Sequence, residues 1–458
     1  MMASKIEHVE QLDRIISKMK TDDVKFVRFE FGDMYGVSRS KIIPISHFIE
    51  KATRGLKFIP GYLSWDYRED GSLPIPKYSF IAGSRPDAVM FPDLDTYVTI
   101  PWRKNTGRIL IKPTLDSEPL TAHPRIVARR QLDFLTEYGY SLLSAFEHEF
   151  FVVDKDTLEP YANGNISRST LRNYADPEFT HQILTDLPEV GVDIEVFESE
   201  SEAGQVEIVH KPSFGIRAAD TSHTCHISVK EIALEHGYIA SFMTKPWPGK
   251  EASGLHFNHS LWDVQGQNSK MMDKNSSNGL SRVARNWIAG ILTHAPAISV
   301  LMAPTSNCLK RYGPSSCVPT GVTWGIDNRT TALRVTQNTD GDMYIENRLS
   351  SGAANPYLVL AATVAAGIDG IKHEMEPPED VKGNACEPAN IPAKTAMLPT
   401  DMKTALEHFS KDNVIREALG EDFYQCYTGF KLSEILMEQE AKEKGNTSWE
   451  REFLFERM

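Results

Sequence analysis

The chain has 458 residues, a formal net charge of −13 and a hydrophobic fraction of 41%, which is the composition of a soluble globular protein with one large or two moderate domains. The acidic balance argues against nucleic acid as the main partner, because phosphate binding requires clustered Lys and Arg.

The five cysteines are scattered and form no Cys-x-x-Cys pair, which indicates reduced thiols in a cytoplasmic protein and neither a disulfide framework nor a zinc site. The charged N-terminus lacks the apolar core of a signal peptide, and the most apolar stretch, 287–304, contains His294, Pro296 and Pro304. We therefore expect a buried helix there, followed by a strand or turn, and no membrane span.

The first part of the chain, residues 1–115, predicts a small α+β domain with a mostly antiparallel sheet. Residues 6–19 have the apolar spacing of a helix, and the alternating segments on either side of the turn at 32–36 predict a hairpin over 24–43. Ser46 is expected to cap a helix that ends near Gly55. Residues 61–87 are rich in Gly, Pro and Ser and predict an ordered loop. Further short strands are expected at 89–92, 97–101 and 108–112.

The second part, residues 116–458, predicts another α+β domain built on a large sheet. It begins with an amphipathic helix at 123–138. An apolar, Ala-rich helix is expected at 355–371, a loop-rich excursion at 377–399 and charged helices at 402–457. Strand-like segments lie between these helices at 144–154, 192–198, 204–210, 255–261, 321–325, 331–335 and 343–348.

The strand-like segment 144–154 carries two glutamates, Glu147 and Glu149, among Phe and Val residues. Side chains two apart on a strand point to the same face. A solvated strand face is the simplest interpretation of such a pair. The alternative is that a cation lies between the two carboxylates, and the rest of the chain favours that alternative.

Four further stretches are unlike an ordinary core. Residues 200–207 hold several carboxylates beside a Gly, 254–260 hold two histidines, 311–334 hold three arginines, and 346–348 hold opposite charges two apart. Five carboxylates and a His could hold two hard divalent cations, and clustered arginines suit a phosphate chain. Metals with arginines are the requirements of phosphoryl transfer.

Five motifs in order resemble the glutamine synthetase superfamily, and more narrowly its type I-like γ-glutamyl-amide synthetases. The motifs are Phe146-Glu-His-Glu-Phe-Phe151, Gly204-Gln-Val-Glu207, Ser253-Gly-Leu-His256, Asp327-Asn-Arg-Thr330 and Gly352-Ala-Ala-Asn-Pro-Tyr-Leu358. The resemblance runs nearly end to end. It implies an α+β fold with an N-terminal β-grasp domain (1–115), a catalytic domain (116–458) with a large curved antiparallel sheet, and a homo-dodecamer of two hexameric rings with active sites between subunits.

The resemblance also implies a role for each matched residue, with ATP and two or more Mg²⁺ or Mn²⁺ ions in each site. The first metal would be held by Glu149, Glu200 and Glu207, although Glu198 and Glu202 lie close by. The second would be held by Glu147, His256 and Glu346. The glutamate substrate would contact Arg311, Arg348 and His256, the transferred phosphoryl group Arg329, and the nucleotide Arg334, Ser260 and Asn258. His259 is expected to be either a packing residue or a residue that supports a ligand side chain without touching the ligand itself.

The sequence departs from the family at the amine site. Glutamine synthetases use acidic residues to capture ammonium, one of them six residues beyond the equivalent of Arg311. That position is Cys317 here, and Asp66 is the candidate for the acidic group from the first domain. A thiol behaves as a small hydrophobe, so the pocket suits a larger, partly apolar acceptor such as a short alkylamine or an aromatic amine.

The resemblance therefore predicts an ATP-dependent glutamate–amine ligase that proceeds through γ-glutamyl phosphate. Three alternatives stay open: a glutamine synthetase that uses ammonium, a γ-glutamylpolyamine synthetase, and a non-catalytic, lengsin-like structural protein. The intact set of charged residues argues against the last, because buried like charges are costly unless used.

Overall fold

A computed structural model describes residues 2–64, 87–312, 320–337 and 341–458, with the side chains of the first segment described from residue 9 to residue 63. Asp66 and Cys317, together with most of the loop expected at 61–87, lie outside these ranges. In the described part of the chain the helices are α1 Met2–Thr21, α2 Phe48–Arg54, α3 Pro124–Glu137, α4 Thr170–Asn173, α5 Pro177–Glu189, α6 Arg217–Glu235, α7 Arg282–Met302, α8 Ser306–Leu309, α9 Pro356–Lys372, α10 Met402–Lys411, α11 Asn413–Leu419, α12 Glu421–Glu443 and α13 Trp449–Leu454. The strands are β1 Phe26–Gly32, β2 Ser38–Pro44, β3 Leu56–Phe58, β4 Ala88–Pro92, β5 Val98–Thr99, β6 Thr106–Leu115, β7 Glu118–Pro119, β8 Tyr140–Asp154, β9 Ile194–Ser199, β10 Gln205–His210, β11 Ser213–Phe214, β12 Tyr238–Ser241, β13 Leu255–Asp263, β14 Trp324–Ile326, β15 Leu333–Gln337 and β16 Met343–Asn347.

Strands β1 to β7 form one sheet in the order β2-β1-β6-β4-β3, with β5 and β7 also paired to β6. The pair β1–β6 is parallel and the others are antiparallel, which confirms the mostly antiparallel sheet and the predicted hairpin. Strands β8 to β16 form a second sheet in the order β14-β15-β16-β13-β8-β10-β9, with β11 and β12 also paired to β8. Only β14–β15 is parallel among these described strands.

The predicted cap at Ser46 is wrong, although the helix does end at Gly55. Pro44 ends β2, and the N–H of Ile45 donates to the carbonyl oxygen of Lys25 at 2.8 Å. A 3-10 turn begins at once over Ile45–His47, so Ser46 lies inside that turn and His47 precedes α2. The remaining helices and strands expected from the sequence are present within a few residues of their predicted bounds.

The large sheet has one apolar face that packs against helices. Phe146, His148 and Phe150 of β8 are fully buried, and the His148 ring lies 4.9 Å from the ring of His226 in α6. On β13, His259 accepts a hydrogen bond at 3.0 Å from the indole N–H of Trp287 in α7. This confirms His259 as a packing residue. Alternation along each strand therefore directs Glu147 and Glu149 of β8 to the opposite face.

The turn between β1 and β2 contacts the second half of the chain. The hydroxyl of Tyr35 donates to Glu434 at 2.8 Å, and the side-chain amide of Asn355 donates to the carbonyl oxygen of Asp33 at 2.9 Å. Asn355 also caps α9 through the N–H of Tyr357. The hairpin is thus tied to the start of the predicted Ala-rich helix. Among the described helices, none combines the length and the apolar character that crossing a membrane requires.

Candidate active site

Strand pairing brings the predicted metal ligands onto one face of the large sheet. Glu149 of β8 is the direct cross-strand neighbour of Glu207 of β10, and Glu207 in turn pairs with Glu198 of β9. On the other side of β8, Glu147 pairs with His256 of β13. Directly opposed residues of neighbouring strands point to the same face, so the sheet register itself assembles the site.

The first acidic cluster consists of Glu198, Glu200 and Glu207, each with a carboxylate oxygen within 4.8 Å of the others. Burial of Glu207, reinforced by the charge of Glu149 and by Glu200, raises the pKa of Glu207 to about 10. A carboxylate held against other carboxylates in this way lacks a counter-charge, and a divalent cation with oxygen preference would supply it. The donor set therefore fits Mg²⁺ or Mn²⁺.

The cluster differs in membership from the set expected by resemblance. Glu149 is beside Glu207, but one of its oxygens accepts the backbone N–H of Gly254 at 2.9 Å and the other lies 3.9 Å from Nε2 of His256. Glu198, which the resemblance did not assign, lies with Glu200 and Glu207 instead. The assignment of Glu149, Glu200 and Glu207 to one ion stays a prediction.

The second acidic cluster consists of Glu147, His256 and Glu346, again with ligand atoms within 4.8 Å of one another. Nδ1 of His256 lies 3.1 Å from Glu147 and 3.4 Å from Glu346. Burial raises the pKa of Glu147, but hydrogen bonds from His256 and from Asn258 outweigh it and the pKa falls to about 2. Two carboxylates and an imidazole nitrogen that converge on one point fit a second divalent cation, which would replace the Nδ1 proton of His256.

Three of the four predicted arginines converge on the second acidic cluster. Arg334 donates to Glu346 at 3.0 Å, and Arg348 donates to the other oxygen of the same carboxylate. Arg311 donates to Nε2 of His256 at 3.1 Å and to the carbonyl oxygen of Arg348 at 2.8 Å. A bound carboxylate or phosphate could therefore replace Glu346 as the acceptor of hydrogen bonds from the guanidinium groups of Arg334 and Arg348.

Arg329 behaves differently from the other three. Its side chain is exposed and makes no hydrogen bond or ion pair with any described residue. The turn that carries it is nevertheless fixed, because the amide of Asn328 donates to the carbonyl oxygens of Val381 and Gly383 at 2.8 Å each. The backbone position of Arg329 is therefore fixed, and its side chain, without a polar partner in the described part of the chain, is available to bind a substrate.

A cavity of about 200 Å³ borders Glu147 on the same face of the sheet. Asn258, Ser260 and Tyr344 are among the residues that line it. Asn258 donates to Glu147 at 2.7 Å, and the hydroxyl of Ser260 accepts the indole N–H of Trp262 at 2.9 Å. Polar groups on a concave surface beside the second acidic cluster could hold a nucleotide. Tyr344 is not among the residues expected from the sequence, although its position two residues before Glu346 places it on the same strand face.

Gly254 explains how these groups come so close together. A Cβ atom at this position would lie 2.8 Å from Nη2 of Arg311, 3.0 Å from Nε2 of His256 and 3.2 Å from Oε1 of Glu149. Any other residue would force these side chains apart. The predicted positions Cys317 and Asp66 belong to segments outside the described residues, so their roles stay predictions.

Known proteins share both this sequence and this fold. The family described as glutamine synthetase, catalytic domain, matches residues 121–453. Lengsin from the dog, Canis lupus familiaris, is 35% identical over 455 residues, which cover 97% of this chain and 75% of lengsin. Glutamine synthetase from Pyrococcus furiosus is 34% identical over 427 residues, which cover 92% of each chain. A solved complex of a protein named GmaS with ADP superimposes with a TM-score of 0.82 at 24% identity, over 95% of this chain and 98% of that chain, which shows the fold. The protein is therefore a member of the glutamine synthetase family.

Proposed function

We propose that this protein is an ATP-dependent ligase that joins the γ-carboxylate of L-glutamate to an amine larger than ammonium. The observation that carries the proposal is one sheet face with two clusters of metal-type ligands, edged by arginines that pair with Glu346 and His256. Charge neutralisation and positioning are what a phosphoryl transfer requires of a protein.

The proposed reaction has two balanced steps. An oxygen of the glutamate γ-carboxylate attacks the γ-phosphorus of ATP, the bond to the β–γ bridging oxygen breaks, and ADP leaves. The amine nitrogen then attacks the carbonyl carbon of γ-glutamyl phosphate, inorganic phosphate leaves, and the nitrogen loses a proton. Divalent ions bound by the two acidic clusters would supply charge neutralisation for the phosphate oxygens.

The chain's own side chains would position the reactants. Arg311, which donates to His256, and Arg348, which donates to Glu346, are both buried, and their guanidinium groups suit the carboxylates of glutamate. Arg334 lies next to Glu346 and would bind nucleotide phosphates. The guanidinium of Arg329, which has no hydrogen-bond or ion-pair partner among the residues the structure describes, would stabilise the phosphoryl group in transit. The solved complex of GmaS with ADP supports nucleotide binding, and the polar cavity lined by Asn258 and Ser260 is our candidate for the nucleotide site.

The amine specificity rests on Cys317 and on the absence of a family-type acidic residue there. An alkylammonium ion has a pKa of roughly 10, as lysine does, and needs a base before it attacks, whereas an aromatic amine does not. A pocket wall with a thiol suits the apolar part of such an amine. We favour a short alkylamine or an aromatic amine over a polyamine, whose second cationic group prefers acidic walls.

Phosphate release from ATP and glutamate over a panel of amines tests the proposal. The expected result is release with methylamine, ethylamine or aniline at concentrations where ammonium gives little. Efficient release with ammonium would identify a glutamine synthetase, and preference for putrescine or spermidine would identify a γ-glutamylpolyamine synthetase. No release with any amine would favour a structural protein, the second candidate, which the 35% identity to lengsin makes a real alternative.

We extend the proposal to organisation and assembly. The two sheets support a division close to the proposed one, an N-terminal domain, 1–115, and a catalytic domain, 116–458, although β7 at Glu118–Pro119 still pairs with the first sheet. The family resemblance supports a cytoplasmic homo-dodecamer of two hexameric rings with shared active sites. Mass photometry of the purified protein tests this assembly, and a particle of one or two chains would overturn it.

A further inference from the structure

An arginine outside the predicted site lies against the first acidic cluster. Arg168 belongs to the loop between β8 and α4, and it contacts the carboxylate of Glu198 at two points, Nε to Oε2 at 2.8 Å and Nη2 to Oε1 at 2.8 Å. Its contact with Glu200 is a single one, Nη2 to Oε1 at 3.7 Å. The guanidinium therefore contacts both oxygens of Glu198 at hydrogen-bond distance, whereas its contact with Glu200 is longer than a hydrogen bond.

The loop holds Arg168 in this place by backbone contacts. The N–H of Arg168 donates to the carbonyl oxygen of Ser199 at 2.7 Å, and its φ of 55° lies in the left-handed region. Arg172, which is 6% exposed, donates to the carbonyl oxygen of Glu200 at 2.6 Å and also to that of Glu202. Asn173 accepts the N–H of Ser199 at 2.8 Å. The loop is thus joined to the end of β9, where Glu198 and Glu200 originate.

These contacts distinguish two carboxylates that sequence alone leaves equivalent. Glu198 and Glu200 are two apart and both have an oxygen within 4.8 Å of Glu207. A carboxylate with one guanidinium contact on each oxygen has about two of its roughly four lone-pair sites occupied and its negative charge compensated, which makes it a weaker ligand for a metal ion. Glu200 accepts the N–H of Ser201 at 3.1 Å and the hydroxyl of Ser201 at 3.4 Å, both on Oε2. Its Oε1 lies 3.7 Å from Nη2 of Arg168, beyond hydrogen-bond distance, so this oxygen can bind a cation.

We propose that Arg168 is a positioning residue that withholds Glu198 from the first cation site, leaving Glu200 beside Glu207 as ligands and lowering the affinity of that site for divalent cations. The inference rests on the proposed function, because it requires a cation in the first acidic cluster. Removal of Arg168 would release Glu198 as an extra ligand and add one unit of uncompensated negative charge, so the ion would bind more tightly.

Titration with Mn²⁺ tests this proposal without any measurement of turnover. The full chain, free of nucleotide and glutamate, carries Glu346→Gln throughout so that the second acidic cluster is weakened, and free Mn²⁺ is followed by electron paramagnetic resonance. Because the Arg168 side chain is 61% exposed, solvent screens its charge and we expect Arg168→Gln to tighten binding by only about three- to tenfold. Glu200→Gln is expected to weaken it by about tenfold or more, as for loss of a direct ligand.

The double variant Arg168→Gln with Glu198→Gln is decisive. It removes a neutral pair, so its Mn²⁺ affinity is expected to stay within about threefold of the background protein, as for a surface ion pair. Glu198→Gln alone is expected to weaken binding, since the unpaired guanidinium then competes for Glu200. If Glu198 were the true ligand, the double variant would lose affinity as strongly as a ligand variant does, and the proposal would be wrong.

Lys250→Gln is the matched control. Lys250 pairs with Glu202 at 3.0 Å and its side chain is 53% exposed, so the variant removes a nearby positive charge that does not contact Glu198 or Glu200. We expect its affinity to stay within about twofold of the background, as for an exposed pair. If Lys250→Gln raised the Mn²⁺ affinity as much as Arg168→Gln does, the effect of Arg168 would be explained by the loss of any nearby positive charge, and the proposal would be wrong. An unchanged Mn²⁺ affinity in Arg168→Gln would also overturn the proposal. Absence of any Mn²⁺ binding by the unmodified protein would instead overturn the proposed function.

Discussion

Glu207 and Glu149 are direct cross-strand neighbours, and the charge of Glu149 is one of the causes that raise the pKa of Glu207 to about 10. The ordinary value is 4.5, so between these two pH values the folded, metal-free protein binds more protons than the unfolded chain. The free energy of unfolding of the metal-free protein therefore falls as pH rises through that interval.

Glu207→Gln is expected to raise the melting temperature of the metal-free protein at pH 8 by about 2 °C or more, equivalent to roughly 1 kcal/mol. It is also expected to abolish most of the further rise that Mn²⁺ gives the unmodified protein. Thermal unfolding with and without Mn²⁺ measures both effects, and Glu189→Gln at the exposed end of α5 is the control. A lower melting temperature for the metal-free variant would contradict the repulsion.

Arg329→Ala is expected to reduce kcat by about 10³-fold, because an arginine that meets the transferred phosphoryl group stabilises mainly the transition state. Its side chain is exposed and makes no hydrogen bond or ion pair with a described residue, so the melting temperature should not change. Steady-state phosphate release and thermal unfolding are the two measurements. Arg282→Gln, which breaks an exposed ion pair with Glu374, should change neither, and a large loss of stability in Arg329→Ala would mean that its role is structural.

Gly254→Ala is expected to lower kcat by about 10²-fold, since the new methyl group displaces Arg311 and His256 from their positions and misplacement by about 1 Å has that order of effect. The control is Gly321→Ala, where the nearest atoms to a new Cβ are 3.5 Å away. Phosphate release with each variant is the measurement. Equal kcat values for the two variants would show that the active site accommodates a methyl group at position 254, and the expected displacement of Arg311 and His256 would be wrong.

His294 gives the protein a stability that depends on pH. Nδ1 lies 2.6 Å from Asp412 and Nε2 lies 3.0 Å from Asp369. Burial lowers the pKa of His294, but its hydrogen bonds to both aspartates outweigh burial and the pKa is raised above 6.5. The raised pKa means that this contribution is fully present below about pH 6.5 and is lost as pH rises through the folded-state pKa.

His294→Gln is accordingly expected to lower the free energy of unfolding by about 2 kcal/mol at pH 6 and by less at pH 9. Urea denaturation at the two pH values measures the difference. His373→Gln serves as the control, because His373 also contacts Asp369, at 2.9 Å, but its side chain is 52% exposed. A larger destabilisation by His294→Gln at pH 9 than at pH 6 would reverse the expected sign.

Cys317→Glu is expected to restore part of an ammonium site, improving kcat/KM for ammonium and impairing larger amines. We expect a shift in the ratio of the two by about tenfold, equivalent to roughly 1.4 kcal/mol of differential binding. The amine panel described above measures it, with Cys317→Ser as a control of similar size. An unchanged ratio would mean that Cys317 does not line the acceptor pocket.

Much of the site could be predicted from local sequence because strand alternation is a strong signal. Glu147 and Glu149 interrupt a Phe- and Val-rich segment, and His256 and Glu346 lie in segments whose strand character is equally plain. Ser46 failed as a cap because its neighbour Ile45 makes a long-range hydrogen bond to Lys25 that starts a turn early. Local propensity contains no information about that contact.

The first acidic cluster shows where sequence reasoning ends. Glu198 and Glu200 have the same spacing signal, and the residue that separates them, Arg168, is in an irregular loop about thirty positions away. Only the folded chain brings its guanidinium to Glu198. The signal that could have found it, an unpaired arginine among polar residues before α4, is too common to be informative.

Strand β8 has a consequence for how this protein can be assayed. Its fifteen residues pair with β10, β11, β12 and β13, and its two faces carry opposite chemistry. A slip of one residue in its pairing would bury Glu147 and Glu149 under α6 and expose Phe146 and Phe150. Misregistered molecules would thus be both insoluble and inactive, so the yield of soluble protein, and not its specific activity, reports the fraction of chains that reached the native register.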